Sequence, residues 1–234
     1  MDLSRRLKVI AGMVTPGSRV ADIGTDHGYL PIELVKRTIC PSGIAIDVRE
    51  GPLARAKEHI EEAGLTERIA VRLGDGLLAL SPGEADTIVI AGMGGPLMKR
   101  ILIEGERTAR DAAELVLSPQ SDVREFRKFL HGAGYTVEKE QMLEEDGKYY
   151  TVMRVLPQPD AESWSEAEYG YGKYLLREKP QILREFLEKK QDICRKILQN
   201  LEQAELEKAA ARKREVEERL RELEGILADW GGIG

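Results

Sequence analysis

The chain has 234 residues, of which 42% are hydrophobic, so it is long enough for one ordinary domain with a sizeable core and a smaller appendage. Its formal net charge of −6 at pH 7 excludes a generally basic nucleic-acid-binding protein, and any RNA contact must come from local basic patches. Cys40 and Cys194 match no metal or redox spacing, so we expect neither a metal site nor a disulfide framework. No stretch approaches the ~20 apolar residues of a membrane span, and we expect a cytoplasmic protein.

The first two thirds of the chain show a regular alternation of strands and helices. A short helix, with apolar residues at helical spacing from Leu7 to Val14, precedes a buried strand over 19–23. Four further strands are predicted in the apolar runs 43–47, 69–73, 87–91 and 114–117. Helices are predicted between them, starting near Leu30, Pro52, Pro96 and Val123. This βαβ rhythm predicts an α/β fold with a parallel sheet covered on both faces.

The segments 135–142 and 148–156 predict two more strands. They are joined by a Glu-Glu-Asp-Gly turn, which indicates an antiparallel hairpin at the end of the sheet. The composition then changes at Pro157–Asp160. We therefore predict a first domain over 1–157 and a separate helical domain over 161–234.

The segment 180–229 is almost uninterrupted helix-forming sequence. Two apolar stripes at heptad-like spacing run along it: Ile182, Phe186, Ile193, Ile197 and Leu201, then Val216, Leu220, Leu223 and Leu227. They predict an antiparallel helical hairpin of coiled-coil type, with its turn between Gln203 and Arg212. Basic residues along it either contact RNA phosphates or are solvated charges beside the stripes.

The most informative motif is the run Val20–Pro31, in which a buried strand enters a glycine turn with carboxylates around it. Gly24 and Gly28 let the backbone pass close to a ligand, unless they only form a tight turn. A dinucleotide-binding turn places a phosphate there, but Asp22 and Asp26 would repel it. S-adenosylmethionine (SAM) carries a sulfonium and an ammonium group instead of phosphates, so the sequence favours SAM over NAD.

Acidic residues also follow the next two strands. Asp47 ends the second strand, where a carboxylate can accept hydrogen bonds from both ribose hydroxyls of an adenosine. Asp75 follows the third strand, where it can accept from an adenine amino group, with Gly76 leaving room for the ring. Taken alone, Asp47 has the alternative interpretation of a helix N-cap, and Asp75 that of a turn residue beside glycine. Three acids after successive strands, Asp22 included, together predict an adenosyl site, because ligands of such sheets bind beyond the carboxyl ends of the strands.

The fourth strand runs into Gly92-Met93-Gly94-Gly95-Pro96. It lacks the Asn or Asp followed by two prolines and an aromatic residue that many enzymes use to methylate exocyclic amino groups. A ring nitrogen such as N1 of adenine has an in-plane lone pair, so a glycine slot at Gly94 and Gly95 that positions the base would suffice. The alternative is that these glycines serve helix–sheet packing.

His27 is either a proton carrier or a helix-start residue that contacts the cofactor.

Five strings of residues together give the chain a specific resemblance. They are Ser4-Arg5-Arg6-Leu7, the run 21–31, Gly74-Asp75-Gly76-Leu77, Ile90-Ala91-Gly92-Met93-Gly94-Gly95 and the run 143–150. With these strings the chain resembles, over essentially its whole length, the bacterial tRNA adenine-N1 methyltransferases that modify position 22 in the D-arm. The resemblance implies a Rossmann-like class I methyltransferase domain, a C-terminal coiled-coil domain, SAM as methyl donor and tRNA as substrate.

The resemblance also implies roles for individual residues. Asp26 would take the ammonium group of SAM and Arg6 its carboxylate. Such proteins often carry Gln-Pro-Asn after the fifth strand, where this chain has Ser118-Pro119-Gln120, so Gln120 is the candidate for the role of the Asn toward the target base. The residues implied to bind the cofactor are Arg6, Asp22, Gly24, Asp26, His27, Gly28, Asp47, Asp75, Gly76, Gly92 and Met93.

Three other functions remain compatible with the sequence. A SAM-dependent enzyme could act on a small molecule or a protein and use the coiled coil to dimerise. A non-catalytic protein could bind SAM or a nucleotide. An NAD oxidoreductase would share the βαβ pattern, although the acidic turn opposes NAD. A tRNA methyltransferase is the leading hypothesis, and methyl transfer to tRNA separates it from the rest.

Overall fold

The computed structural model describes residues 3–202 and 207–232. The chain forms two compact units, Met1–Tyr174 and Leu175–Gly234. The strands of the first unit are β1 (Val20–Ile23), β2 (Gly43–Asp47), β3 (Ile69–Leu73), β4 (Thr87–Met93), β5 (Glu114–Pro119), β6 (Thr136–Glu145) and β7 (Lys148–Leu156). Its helices are α1 (Arg5–Ala11), α2 (Tyr29–Lys36), α3 (Glu50–Glu62), α4 (Gly95–Glu104), α5 (Glu106–Asp111), α6 (Val123–Gly132) and α7 (Glu166–Tyr171), and the division between the units falls within α8 (Lys173–Glu178). Within the described ranges, no helix has the length and apolar character needed to cross a membrane.

All seven strands form one sheet in the order β3-β2-β1-β4-β5-β7-β6. The first five strands are parallel, and β7 runs antiparallel to both β5 and β6. Chain order therefore runs in opposite directions on the two sides of the β1–β4 pair. In an open α/β sheet this switch point opens a crevice at the carboxyl ends of the strands, where ligands bind.

Helices cover both faces of the sheet because its central strands are apolar on both sides. Along β4, Ile88 and Ile90 lie in one hydrophobic cluster with Met98 of α4. Val89, between them, lies in a second cluster with Leu34 of α2. This is the two-residue period of a strand that is buried on both faces. The structure confirms the predicted α/β fold, with a parallel sheet that ends in an antiparallel hairpin.

Residues 161–174 belong to the first unit, so the division between the units lies later than the boundary predicted at Pro157–Asp160. Tyr169 packs against the hydrophobic cluster of the sheet. Arg127 of α6 donates to the carbonyl oxygens of Tyr169 and Gly170 at 3.1 and 3.3 Å. The composition change therefore marks the end of the last strand, and the chain that follows still packs on the sheet.

The second unit contains two long helices, α9 (Gln181–Glu202) and α10 (Glu207–Ala228), which pack against each other. They run antiparallel, because Lys179 just before α9 donates through Nζ to the carbonyl oxygen of Asp229 just after α10, at 2.7 Å. The predicted helical hairpin is therefore present. Its turn was predicted between Gln203 and Arg212; residues 203–206 lie outside the described residues, and α10 has already begun by 207.

The apolar stripe of α9 differs from the predicted one by one residue. Among the residues of α9 and α10 whose burial is described, the buried apolar ones are Leu183, Leu187, Cys194, Val216 and Leu223. Ile193 is 44% exposed, whereas Ile182 and Phe186 are half-buried, so the fully buried seam lies one residue later than the predicted stripe of α9. The observed spacings of four and seven residues are typical of a helix seam, and coiled-coil packing itself stays a prediction.

Candidate active site

A cavity of about 710 Å³ opens at the carboxyl ends of the parallel strands. The loops that follow β1, β2, β3 and β5 and the end of β4 itself contribute to its wall, together with α1 and α4. The structure thus brings together most of the residues that the sequence predicted for the site: Arg6, Asp22, Gly24, Asp26, His27, Asp47, Asp75, Gly76, Gly92, Met93 and Gln120. Its volume is in the range of small-molecule sites, which are about 300 to 1,000 Å³.

Two glycines bring the backbone close to the cavity in conformations that other residues rarely adopt. Gly24 has φ +78°, and a Cβ atom there would lie 2.1 Å from Cε of Met93. Gly92 has φ +79°, and a Cβ atom there would lie 3.5 Å from a terminal nitrogen of Arg6. Side chains at these two positions would therefore be strained and would fill the wall of the cavity.

Two buried carboxylates lie at the ends of β1 and β2. Asp22 is 8% exposed and Asp47 is 4% exposed. Oδ1 of Asp47 accepts a hydrogen bond from the backbone nitrogen of Arg49 at 2.8 Å and lies 3.5 Å from its Nε, so this carboxylate is held in place. Burial raises the pKa of Asp22 to about 6, and the Asp47 carboxylate adds to the rise. Negative charge is thus concentrated at the base of the cavity, which favours a cationic ligand there.

The carboxylate of Asp75 lies at the rim of the cavity and is bound by an arginine. Both terminal nitrogens of Arg100 donate to it, at 3.2 and 3.3 Å. Arg100 also lies 3.6 Å from Glu104 on its own helix. Each carboxylate oxygen of Asp75 keeps a further lone pair, so this side chain can still accept a hydrogen bond from a ligand.

His27 lies in a stack of three rings beside the cavity. Its ring is 5.0 Å from that of Tyr29, which is in turn 5.1 Å from that of His59. Nδ1 of His59 donates to the carbonyl oxygen of His27 at 3.0 Å, because a carbonyl can only accept. Nε2 of His27 lies 3.4 Å from Asp26. These contacts hold the His27 segment just before α2, and both interpretations of His27 stay predictions.

Three of the predicted glycines do not line the cavity. Gly28 precedes α2, and a Cβ atom there would lie 3.2 Å from Ala56 of α3. A Cβ atom at Gly94 would lie 2.9 Å from Oγ of Ser121, and one at Gly95 would lie 2.8 Å from the Ser121 carbonyl oxygen. Gly94 and Gly95 therefore allow the loops after β4 and β5 to pack closely, and a base slot at these residues stays a prediction.

The cavity also contains residues that sequence reasoning missed. Arg49 and Arg100 line it and hold two of its acids, Asp47 and Asp75. Val48 and Leu97 line it with side chains that are 61% and 41% exposed, although both are apolar. Val48 could have been noticed as an apolar residue directly after the strand-end acid. The cavity thus combines hydrogen-bonding acids with apolar walls, as a ring-containing polar ligand requires. Among the described residues, no group of three or more His, Cys, Asp or Glu side chains is arranged to hold a metal ion.

Comparison with known proteins identifies the family. The family model described as tRNA (adenine(22)-N(1))-methyltransferase matches residues 20–225 of the chain. The tRNA (adenine(22)-N(1))-methyltransferase of Bacillus subtilis (strain 168) is 40% identical over 153 residues, which are 65% of this chain and 64% of that protein. In this alignment the chain therefore spans a little under two thirds of the length of its relative.

Several solved structures are similar to this chain over almost its whole length, among them one from B. subtilis and one from Streptococcus pneumoniae. The B. subtilis m1A22 tRNA methyltransferase TrmK is 33% identical, with a TM-score of 0.85 over 96% of this chain and 98% of that chain. The Streptococcus pneumoniae protein Sp1610 in complex with S-adenosyl-L-methionine is 32% identical, with a TM-score of 0.85 over 97% of this chain and 100% of that chain. The match of the family model to most of the chain, together with the acids at the strand ends, shows that this protein belongs to the tRNA (adenine(22)-N(1))-methyltransferase family.

Proposed function

We propose that this protein transfers the methyl group of SAM to N1 of adenine 22 in tRNA, the reaction for which its family is named. The observation that carries the proposal is the acidic cavity at the switch point of the sheet, formed by strand-end residues in a chain of this family. The complex of Sp1610 with SAM supports the same cofactor, since the two folds are alike over 97% of this chain. We further propose that the reaction takes place in the cytoplasm, where its tRNA substrate is found.

The residues of the cavity fit SAM better than a phosphate-containing cofactor. Asp47 presents a fixed carboxylate to the two ribose hydroxyls, and Asp75 presents one to the adenine amino group. Val48 and Leu97 offer exposed apolar contacts for the flat adenine ring. Asp22 places negative charge where a sulfonium or ammonium group would be stabilised, and a phosphate would be repelled there.

When bound, SAM supplies an electrophilic methyl group on a sulfonium sulfur. N1 of adenine already has an in-plane lone pair, so the protein need not remove a proton before this nitrogen reacts. The proton that methylated adenine later loses can pass to water. The residues of the cavity therefore act by holding the two reactants in line, and positioning of this kind can supply up to about 7 to 11 kcal/mol of barrier reduction. His27 has no required role as a base in this scheme.

The substrate class is tested by methyl transfer from labelled SAM. We expect label to enter bulk tRNA from a strain that lacks this methylation, and not to enter tRNA from a strain that has it. Label in protein or in small molecules, with tRNA unlabelled, would instead support a SAM-dependent enzyme that acts on those substrates.

The buried Asp22 predicts a pH dependence of SAM binding. With its pKa raised to about 6 by burial, Asp22 in the ligand-free protein is mostly protonated at pH 5 and mostly ionised at pH 7. Because SAM adds positive charge and favours the ionised form, its affinity should rise by up to about 10-fold over this range. Calorimetry at the two pH values measures the change. The rise should disappear in Asp22→Asn, and an equal rise in that variant would show that another group titrates.

The raised pKa of Asp22 also affects the free energy of unfolding of the ligand-free protein. The folded, ligand-free protein binds the Asp22 proton more tightly than the unfolded chain does. Ionisation of Asp22 therefore lowers the free energy of unfolding as the pH rises from 3.8 to about 6, and this loss persists at higher pH. Cofactor binding offsets the loss by giving the carboxylate a cationic partner.

We also propose that the helical unit contacts tRNA. Lys196 on α9 and Arg214 on α10 are exposed. The double variant Lys196→Glu/Arg214→Glu should weaken tRNA binding, since each reversed charge repels phosphate, and it should leave S-adenosylhomocysteine binding unchanged. Filter binding at two salt concentrations measures the effect, with Lys57→Glu on α3 as the control. Unchanged tRNA affinity in the double variant would exclude these two residues from the RNA interface.

A further inference from the structure

The side chain of Gln120 joins two parts of the cavity wall. It lies directly after β5 and lines the cavity together with Arg6 of α1 and Gly92 of β4. With its amide oriented to satisfy both partners, Nε2 donates to the carbonyl oxygen of Gly92 at 3.2 Å and Oε1 accepts from a terminal nitrogen of Arg6 at 3.0 Å. Both ends of the amide are therefore bonded within the protein.

Arg6 is held from other sides as well. Its guanidinium group lies 5.2 Å from the centre of the Tyr150 ring, and its backbone nitrogen donates to Glu145 at 3.2 Å. A Cβ atom at Gly92 would lie within 3.5 to 3.9 Å of the ends of Arg6 and Gln120, so glycine lets these side chains close over the strand. These contacts hold the guanidinium group at the edge of the cavity.

A guanidinium group has five N–H donors, and the contact with Gln120 uses one of them. The remaining donors include enough for a bidentate contact with a carboxylate. Arg6 lines the same cavity as Asp22 and Asp47, the residues proposed above to receive the charged and ribose parts of SAM. The anion that this cavity has to accept from SAM is the carboxylate of its methionine part.

We infer that Gln120 is a positioning residue, which holds Arg6 so that its guanidinium group binds the methionine carboxylate of the cofactor. An amide is suited to this position because it donates to a carbonyl and accepts from a guanidinium group at the same time. A glutamate would repel the Gly92 carbonyl oxygen, and an alanine would make neither bond. The inference rests on the proposed function, and it replaces the expectation that Gln120 contacts the target base.

The test compares two ligands that differ in the carboxylate. S-adenosylhomocysteine has the complete amino-acid part, and 5′-methylthioadenosine lacks it while keeping the adenosine and the thioether. Calorimetry on the full-length protein should show that Arg6→Met weakens S-adenosylhomocysteine binding by roughly 10- to 150-fold, as loss of a charge-assisted contact does. Gln120→Ala should weaken it by about 2- to 10-fold, as loss of a neutral hydrogen bond does. Binding of methylthioadenosine should change by less than about 2-fold in both variants, since this ligand has no carboxylate for Arg6 to bind.

The double variant tests whether the two side chains act as one unit. Arg6→Met/Gln120→Ala should bind S-adenosylhomocysteine as Arg6→Met alone does, because Gln120 has nothing left to position. Gln141→Ala, at an exposed position of β6, is the control and should bind both ligands like the wild type.

Each contrary result has a distinct meaning. Equal losses for both ligands in Gln120→Ala, or additive losses in the double variant, would overturn the positioning role. If Gln120→Ala leaves ligand binding unchanged and raises KM for tRNA, Gln120 contacts the RNA. If Arg6→Met affects tRNA binding alone, its anion is an RNA phosphate, and the inference is wrong. Failure of the wild type to bind either ligand would overturn the proposed function as well.

Discussion

Replacing Asp47 with alanine should weaken the binding of S-adenosylhomocysteine by roughly 10- to 150-fold, which corresponds to about 1.5 to 3 kcal/mol for a lost pair of charge-assisted hydrogen bonds. The carboxylate is buried at the end of β2 and is held by the backbone nitrogen of Arg49, so it is already oriented when the ribose binds. Asp47→Asn should show a smaller loss, since its amide oxygen can still accept one hydroxyl. Isothermal titration calorimetry measures all three affinities.

The control for this measurement is Asp111→Ala. Asp111 is an exposed acid at the end of α5 and is not among the residues that line the cavity. Asp111→Ala changes the net charge by the same amount as Asp47→Ala. Comparing the two variants therefore removes the general effect of net charge on ligand binding. If Asp47→Ala binds S-adenosylhomocysteine as tightly as Asp111→Ala does, Asp47 does not hold the ribose.

Replacing Arg127 with methionine should lower the free energy of unfolding by about 3 to 5 kcal/mol, the cost of leaving a buried charge without its partner. Nε of Arg127 lies 2.8 Å from Glu140, and the two side chains are 1% and 0% exposed. Glu140 also accepts from the backbone nitrogen of Tyr174 at 3.2 Å. The variant therefore loosens α6, β6 and the chain after the sheet together, and chemical denaturation measures the loss.

Arg124→Met is the matched control for Arg127→Met. Arg124 is on the same helix and pairs with Glu166, but its side chain is 41% exposed, so water screens the interaction. Its replacement should have a much smaller effect. The double variant Arg127→Met/Glu140→Leu should recover part of the stability lost in Arg127→Met, because it removes the unpaired carboxylate. If Arg127→Met and Arg124→Met lower the free energy of unfolding equally, the buried ion pair of Arg127 stabilises the protein no more than the exposed pair of Arg124 does.

Much of the sheet was predictable because its signals are local. A strand buried on both faces is a short apolar run, and Thr87–Ala91 and Glu114–Leu117 are such runs in the sequence. The acids Asp22, Asp47 and Asp75 could be assigned to one site without knowledge of their distances. Parallel strands place all their carboxyl ends at the same edge of the sheet, so residues that follow different strands must converge.

The features that the sequence did not predict depend on tertiary contacts. Residues 161–174 join the first unit through the Arg127 contacts, and no composition signal in this segment indicates them. Gly94 and Gly95 approach Ser121, which belongs to a different loop, so this close packing could not be predicted from the string that contains the two glycines. On α9, both Ile182 and Leu183 are apolar, and only packing decides which of them is buried.

The site was predicted from the acids and not from the arginines. The partner of Asp75, Arg100, is 25 residues away on α4, and the sequence shows no sign of the pairing. Arg6 was assigned from the family resemblance, whereas its contact with Gln120 joins two residues 114 positions apart through the order of the strands. Pairs of this kind determine how a charged side chain is oriented. A local sequence pattern does not predict that orientation, because the two partners are far apart in the sequence.

The most direct measurement is the position and chemistry of the methyl group on tRNA. The full-length protein is incubated with SAM and an unmodified tRNA transcript, and the product is mapped by mass spectrometry after nuclease digestion. We expect a single N1-methyladenosine at position 22, the position for which the family is named, and no methylation of a transcript with guanosine at that position. Methylation at another nucleotide or at the exocyclic amine, or no transfer to a transcript that the protein binds, would contradict the proposed function.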